Sequence, residues 1–313
     1  MKVYQGFENL PLFKNPVVTI GTFDGVHAGH RSIIERIRRK AMEVEGESVL
    51  ITFEPHPRLV LSNSSQPLWL LSSLSEKIKL LAALEIDHLV VVNFTKAFSE
   101  LSADEYIKDF LINHFHPHTF VIGYDHHFGK GRTGNYALLE KVKGLYGFDL
   151  VEIPAQEIEH ITVSSTKIRE ALQTGQIHIA NEYLCKPYLM QGLVMHGEKR
   201  GRLLGFPTAN LDIEDEHKLI PLQGVYAVQA MVRGEAFKGM LNIGIRPTVS
   251  SSLKRSIEVN LFDFDKEIYG EELQLFVVAR IRDEQKFASL DELTNQLKLD
   301  KSMAIELLES FSA

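Results

Sequence analysis

The chain has 313 residues, too many for one typical domain and suited to two; 44% are hydrophobic and 24% charged, the balance of a folded globular protein. A formal net charge of −7 leaves no basic excess to neutralise a nucleic-acid backbone, and the single Cys185 excludes both an internal disulfide framework and a cysteine-rich zinc site. No apolar run approaches the roughly 18 residues of a membrane span, and MKVYQGFENLPLF lacks the apolar core of a signal peptide, so the expectation is a cytoplasmic protein with no nucleic-acid or membrane partner.

In the first half, Val17–Ile20, Ser48–Phe53, His88–Asn93 and Thr119–Ile122 are short, β-branched, apolar runs. Helical patterns over 31–43, 74–85, 103–115 and 134–146 alternate with them. This predicts an α/β domain with a parallel sheet and helices on both faces, with ligands beyond the carboxyl ends of the strands. The first strand leads into Gly21-Thr22-Phe23-Asp24-Gly25-Val26-His27-Ala28-Gly29-His30 and then a helix. Such a turn offers backbone N–H groups and a positive helix end to phosphate. His27 and His30, three apart, can face one pocket, and Gly21, Gly25 and Gly29 let a ligand approach the backbone.

Three further turns follow. Glu54-Pro55-His56-Pro57-Arg58 is a rigid exit, with His56 and Arg58 either structural or aimed at the pocket. Phe94 and Phe98 either pack in the core or offer a face to a flat ring, ahead of a helix capped by Ser102 and Glu105. Gly123-Tyr124-Asp125-His126-His127-Phe128-Gly129-Lys130-Gly131-Arg132 has the wrong glycine spacing for a Walker A loop. After a strand at Asp149–Ile153, Ser164-Ser165-Thr166-Lys167-Ile168-Arg169 opens a helix. Its hydroxyls make an N-cap or an anion site, with Lys167 and Arg169 as charge partners.

Helical propensity fades through Ala180–Leu184, and 185–188 reads as a linker, giving domains at 1–184 and 185–313. Beyond it, Tyr188–Met195, Gly224–Val232, Phe237–Ile243, Ser256–Phe262 and Gln274–Ile281 alternate as antiparallel strands of a small barrel, followed by a helix at Leu290–Ser310. In the segment from Gly197 to Asn210, Lys199, Arg202 and Gly205 belong to a basic, glycine-bearing loop that suits phosphate. Thr208 and Asn210 are neutral oxygen ligands two apart on an extended strand, able to face one magnesium site.

Strand, His-x-Gly-His and helix resemble the nucleotidyltransferase superfamily, and the longer form with Phe23-Asp24-Gly25 is similar to its FAD synthetase branch. The second superfamily motif, Ile/Val-Ser-Ser-Thr-x-x-Arg, matches Val163 to Arg169. The 123–132 segment is similar to the Gly-x-Asp/Asn-Phe-x-Phe-Gly stretch near the flavin, with His126 in place of a Phe. Gly-Arg-x-Leu-Gly-Phe-Pro-Thr-Ala-Asn-Leu from Gly201 to Leu211 resembles the riboflavin kinase signature. The 242–248 and 257–264 segments continue that match, with Asn260 where family members usually carry His.

The whole chain thus resembles prokaryotic bifunctional riboflavin kinase/FAD synthetases. The resemblance implies that ATP phosphorylates riboflavin to FMN in the second domain and adenylylates FMN to FAD, releasing pyrophosphate, in the first. It implies His27, His30 and Arg169 in adenylyl transfer and Glu258 as general base of the kinase. It further implies ATP or phosphate contacts at Gly21, Phe23, Gly29, Ser164, Ser165, Thr166, Lys199, Arg202 and Gly205. Flavin contacts fall at Asp125, Phe128 and Arg246, and Mg2+ at Thr208 and Asn210. Riboflavin, FMN and ATP are the expected partners, with weak self-association compatible. Two rivals are a nucleotidyltransferase with another acceptor, such as pantetheine or polyol phosphate, and a non-catalytic flavin- or nucleotide-binding sensor.

Overall fold

A computed structural model of the chain describes residues 1–62, 67–124, 126–153, 163–197, 201, 204–246 and 254–312. Its contacts divide it into two compact units, Met1–Leu68 with Lys77–Ser164, and Trp69–Glu76 with Ser165–Ala313.

The first unit is built on β1 (Lys2–Gln5), β2 (Val17–Ile20), β3 (Ser48–Glu54), β4 (His88–Asn93), β5 (Thr119–Gly123) and β6 (Asp149–Ile153). They form one sheet in the order β1-β4-β3-β2-β5-β6, every pairing parallel. Because helices cover such a sheet on both faces, its central strands are buried along their length and do not alternate between buried and exposed; β2 is buried at all four residues. Helix α1 (Ala28–Glu43) buries Ile34, Ile37 and Ala41, a three- and four-residue spacing that makes one face. Ile37 and Ala41 meet Val17, Val121 and Ile153 on the sheet.

Helix α2 spans Leu74–Ala82 and α3 Tyr136–Tyr146. The helical stretch 103–115 begins with the expected capping box of Ser102 and Glu105 and is π-helical over Tyr106–Ile112. The sequence did not announce β1, which is short and lies on the sheet edge against β4, nor the one-turn helix Pro57–Leu61. In that helix the His56 Nδ1 accepts a hydrogen bond from the Arg58 N–H at 3.1 Å, so one face of this imidazole is an N-cap.

The order of the sheet places its switch point at β2: the chain leaves it through α1 toward β3, while β5 lies on its other side. The carboxyl ends of β2 and β5 therefore carry the Gly21–His30 turn and the segment after Gly123, the position where open α/β sheets bind ligands.

The second unit is a closed antiparallel barrel of β7 (Tyr188–Met195), β8 (Ala209–Asp212), β9 (Gly224–Val232), β10 (Glu235–Arg246), β11 (Lys254–Leu261) and β12 (Glu272–Arg282), ordered β10-β11-β8-β7-β12-β9. Helix α4 (Ser165–Gln173) and α5 (Ile177–Leu184) precede it, and α6 (Leu290–Ser312) closes the chain. Where the sequence reads fading helicity, α5 is a docked helix. Its Asn181 Nδ2 donates to the Val277 and Val278 carbonyls at 2.9 and 3.0 Å, and its Oδ1 accepts from the Tyr188 N–H at 2.9 Å. Tertiary hydrogen bonds fix a segment that propensity leaves weak. On α6, Ala304 and Leu308 pack with Ala227, Met240, Phe262 and Val278, and Phe206 joins the edge of that cluster.

The strap Trp69–Glu76 is part of this unit although it comes from the first half of the sequence. Leu70 bridges to Lys218, with Leu70 N–H to the His217 carbonyl at 2.7 Å and Leu219 N–H to the Leu70 carbonyl at 2.8 Å. Glu76 then makes a fully buried ion pair with Lys218 at 2.6 Å. The Lys218 ammonium also donates to the carbonyls of Leu71 and Leu189, both at 2.7 Å, so all three of its protons are used. Glu76 accepts in addition from the N–H groups of Ser73 at 3.0 Å and Gln191 at 2.9 Å.

Candidate active sites

In the first unit, the turn after β2 is held by the Gly21 N–H on the Ile51 carbonyl at 3.0 Å and the Thr52 hydroxyl on the Thr22 carbonyl at 3.1 Å. Phe23, Gly25 and Val26 all have positive φ, at 49°, 78° and 46°. For a β-branched residue such as Val26 this conformation is rare and strained. Strain held by its surroundings is a mark of functional loops. Gly21 is required here, since a Cβ would stand 2.9 Å from the Phe23 ring, while a Cβ at Gly29 would meet His27 at 3.4 Å.

The turn delivers His27 to the N-cap of α1, where it makes no side-chain capping bond and no acidic residue follows in the first turn. The positive end of a sixteen-residue helix thus opens at the switch point. The His27 and His30 rings stack, centroids 3.7 Å apart and planes 17° from parallel, and the Phe23 ring lies 5.0 Å from His30, tilted by 55°. A separation of three residues at the start of α1 thus brings the two imidazoles into contact. His30 keeps some open surface, but its Nδ1 is buried and has no hydrogen-bond partner among the described residues. Enclosure by protein, then the neighbouring His27 and Lys77, hold the His30 pKa well below the usual histidine value. It is neutral at neutral pH, a hydrogen-bonding group and not a fixed cation. Lys77, 3% exposed, is a buried cation that the sequence reading missed. It sits in an ordinary helical pattern, Ser75-Glu76-Lys77-Ile78-Lys79, that gives no local signal.

Of the flavin candidates in this unit, Asp125 lies outside the described residues. Phe128 turns into the core: it is 6% exposed and stacks on Tyr106 at 4.9 Å. A Cβ at Gly134 would fall 2.3 Å from its ring. Phe94 and Phe98 join Phe7, Phe53 and Phe110 in the same aromatic core, which is the packing alternative for that pair. Ser164 ends the first unit; Ser165, Thr166 and Arg169 stand on α4 in the second, where the Arg169 Nε donates to the Trp69 carbonyl at 2.6 Å.

In the barrel, Lys199, Arg202 and the Arg246 side chain lie outside the described residues. Around them Gly205 has φ +79°, and the Gly201 carbonyl accepts from the Leu204 and Phe206 N–H groups at 3.1 and 2.9 Å, closing the loop on itself. Register does the rest. β11 places Glu258 opposite Asn210 of β8 and Asn242 of β10, and the Thr208 hydroxyl lies 3.3 Å from Glu258 Oε2. Residues separated by fifty positions meet as a hydroxyl, an amide and a carboxylate. Gly197 backs the Asn210 side chain so closely that a Cβ there would stand 2.0 Å from Nδ2.

Thr208 also lines a cleft of about 510 Å³, together with Val194, Pro207, Ala209, Val259 and the 264–269 segment. Tyr269 of that segment stacks on His196 at 3.9 Å. Among the described residues no cluster of three or more His, Cys, Asp or Glu side chains could hold a metal by itself.

Two family models match. FAD synthetase covers residues 11–167 and riboflavin kinase residues 184–308. The bifunctional riboflavin kinase/FMN adenylyltransferase of Escherichia coli strain K12 is 36% identical over 309 residues, 98% of this chain and 97% of that protein. The chain belongs to the bifunctional riboflavin kinase/FMN adenylyltransferase family.

The namesake enzyme of Bacillus subtilis strain 168 is 39% identical over 292 residues, 92% of this chain and 91% of that one. That of Haemophilus influenzae is 37% identical over 306 residues, 97% and 98% of the two chains. A crystal structure described as a macrolide-efflux protein from Streptococcus pneumoniae shares the fold with a TM-score of 0.85 at 29% identity, over 96% of this chain and 98% of that one. In this chain no helix among the described residues is long and apolar enough to cross a membrane. The protein is thus an enzyme of FMN and FAD synthesis, acting on riboflavin, FMN and ATP.

Proposed function

We propose the following division of labour among the residues. The observation that carries it is the meeting of Thr208, which lines the barrel cleft, with Glu258 and its cross-strand neighbour Asn210. ATP occupies the cleft, its base against the apolar wall and Tyr269, its phosphates toward Thr208 and the Gly201–Gly205 loop with Lys199 and Arg202. The donor set fits magnesium, which prefers a few oxygen ligands completed by phosphate and water; Thr208 and Asn210 would hold it. When bound, such an ion would draw charge from the phosphates of the nucleotide. Glu258 takes the proton of the ribityl terminal hydroxyl as that oxygen attacks the γ-phosphorus, and ADP leaves. Arg246 contacts the flavin.

For adenylyl transfer, an oxygen of the FMN phosphate attacks the α-phosphorus of ATP in line and pyrophosphate leaves. The attacking phosphate is already anionic at neutral pH, so the step needs no general base. The turn amides, Gly21 and Gly29 among them, and the open end of α1 receive phosphate oxygens. His27 and the neutral His30 donate hydrogen bonds to the oxygens that gain charge, while Phe23 supports the His30 ring. Ser164, Ser165, Thr166 and Arg169 enter on the strength of their motif. Asp125 meets the flavin, and Phe128 serves it by anchoring the 123–128 segment from within the core. The functional domains divide at 184/185, and the enzyme resides in the cytoplasm.

Chromatography of reactions started from riboflavin or from FMN separates the two halves. Glu258→Gln should lower FMN formation by roughly 100-fold or more and leave FAD formation from supplied FMN intact. His27→Ala and His30→Ala should do the reverse. Wild-type kinase turnover in the Glu258 variant would remove it from the role of base.

A further inference from the structure

The β8–β11 ladder pairs only Val259 with Ala209 and Glu258 with Asn210. Residue 207, just before it, is a proline, with no N–H to extend a ladder. Thr208 therefore stands beyond the last backbone pair. A side chain takes over at this point: the Asn260 Nδ2 donates to the Pro207 carbonyl at 2.6 Å. Asn260 is 6% exposed and neighbours the paired Val259. Two residues before Thr208, the Gly201 carbonyl holds the Phe206 N–H at 2.9 Å, and the Phe206 ring packs toward the cluster on α6.

We propose that Asn260 is a positioning residue of the kinase reaction, whose side-chain amide fixes the Pro207 carbonyl and thereby holds the Thr208 hydroxyl in place for the metal–nucleotide complex. This rests on Thr208 being a magnesium ligand. The bond pins the peptide on one side of Thr208 while the Ala209–Val259 pair pins the other. Without it, the hydroxyl keeps its identity and loses its fixed direction. The amide has no titratable proton, so the role is geometric, and it adds no step to the proton path from the ribityl hydroxyl to Glu258.

The test is calorimetric titration of the full-length chain with ADP, in magnesium and separately in EDTA, beside steady-state kinase kinetics. Asn260→Leu, which keeps the branching at Cγ and has no donors, should weaken MgADP binding about 10-fold, leave metal-free ADP binding unchanged, and lower kcat with the riboflavin KM unchanged. Asn260→His, which restores an N–H donor, should recover a large part of the loss. Far-ultraviolet circular dichroism reports whether the barrel is folded, and Asn260→Ala replaces the leucine variant if it is not. Wild-type MgADP affinity in Asn260→Leu, or equal losses with and without magnesium, would overturn the proposal. Thr208→Val, run in parallel, separates the premise from the inference. If it abolishes the magnesium-dependent part of ADP affinity while Asn260→Leu does not, only the inference falls; if it changes nothing, the metal reading of Thr208 falls first.

Discussion

Replacing Lys218 by Met removes the cation from a place where everything around it is already committed. Glu76 would remain with a side chain 1% exposed, keeping only the N–H groups of Ser73 and Gln191 as partners. The carbonyls of Leu71 and Leu189 would lose the ammonium that now satisfies them. Removing one partner of a buried pair costs about 3–5 kcal/mol, against a total domain stability of about 5–15 kcal/mol. A second change, Glu76→Gln, retains an oxygen acceptor and eliminates the stranded charge. It should therefore recover more than half of the loss, leaving the cost of the two carbonyls. The assay is built into the chain, because Trp69 is its one tryptophan and lies in the strap. Urea titration followed by tryptophan emission reports the strap, and far-ultraviolet circular dichroism reports the whole. In Lys218→Met the emission transition should move to lower urea and precede the dichroism transition. A loss below about 1 kcal/mol, the range of an exposed pair, with the two transitions still coincident, would refute the argument that this pair holds the strap.

Three other outcomes are expected. Because the folded pKa of His30 lies below its unfolded value near 6.5, the unfolded chain binds a proton that the native chain refuses as pH falls through that value. Stability should then drop by up to about 1.4 kcal/mol per pH unit, and His30→Gln should flatten that slope in denaturant titrations at pH 5–7; an unchanged slope would show that His30 titrates alike in both states. The Arg282 guanidinium grips the Asp300 carboxylate through Nε at 2.9 Å and Nη2 at 2.7 Å, and Asp300 is 1% exposed. Arg282→Ala should cost about 3 kcal/mol and speed amide exchange along α6 before any other element; uniform protection would contradict it. Phe128→Leu should lower stability by about 1 kcal/mol and leave kinase turnover untouched, as a core ring in the first unit requires, and a kinase defect measured on riboflavin would count against that placement.

The architecture was legible where local chemistry and burial agree. β2, β4 and β6 have the expected ends, the run of β2 stopping before Gly21, that of β4 at Asn93 and that of β6 before Pro154, and the Ser102–Glu105 box marks a helix start by side-chain chemistry alone. The two sets of candidate residues were also legible as motifs, yet their assembly was not. That Glu258 stands opposite Asn210 follows from barrel register, and that His27 stacks on His30 follows from three left-handed residues in the turn. Features fixed by distant partners left no trace in the sequence. Helix α5 depends on one asparagine reaching β12, and Glu76 and Lys218 lie 142 positions apart with nothing in either neighbourhood to announce the other. The Asn260 substitution was visible, but its meaning required seeing the Pro207 carbonyl at the end of its amide.

The strap also changes what cutting the chain would do. The two units exchange the polypeptide at 68/69, 76/77 and 164/165, so a single nick after Ser164 leaves the 69–76 segment on the N-terminal fragment while its berth stays on the C-terminal one. Fragments 1–164 and 165–313 carry the halves of one buried lock, Glu76 and Lys218. Expressed from separate genes, they should reassemble through that segment, and a kinase fragment beginning at residue 185 would carry Lys218 without its counter-charge.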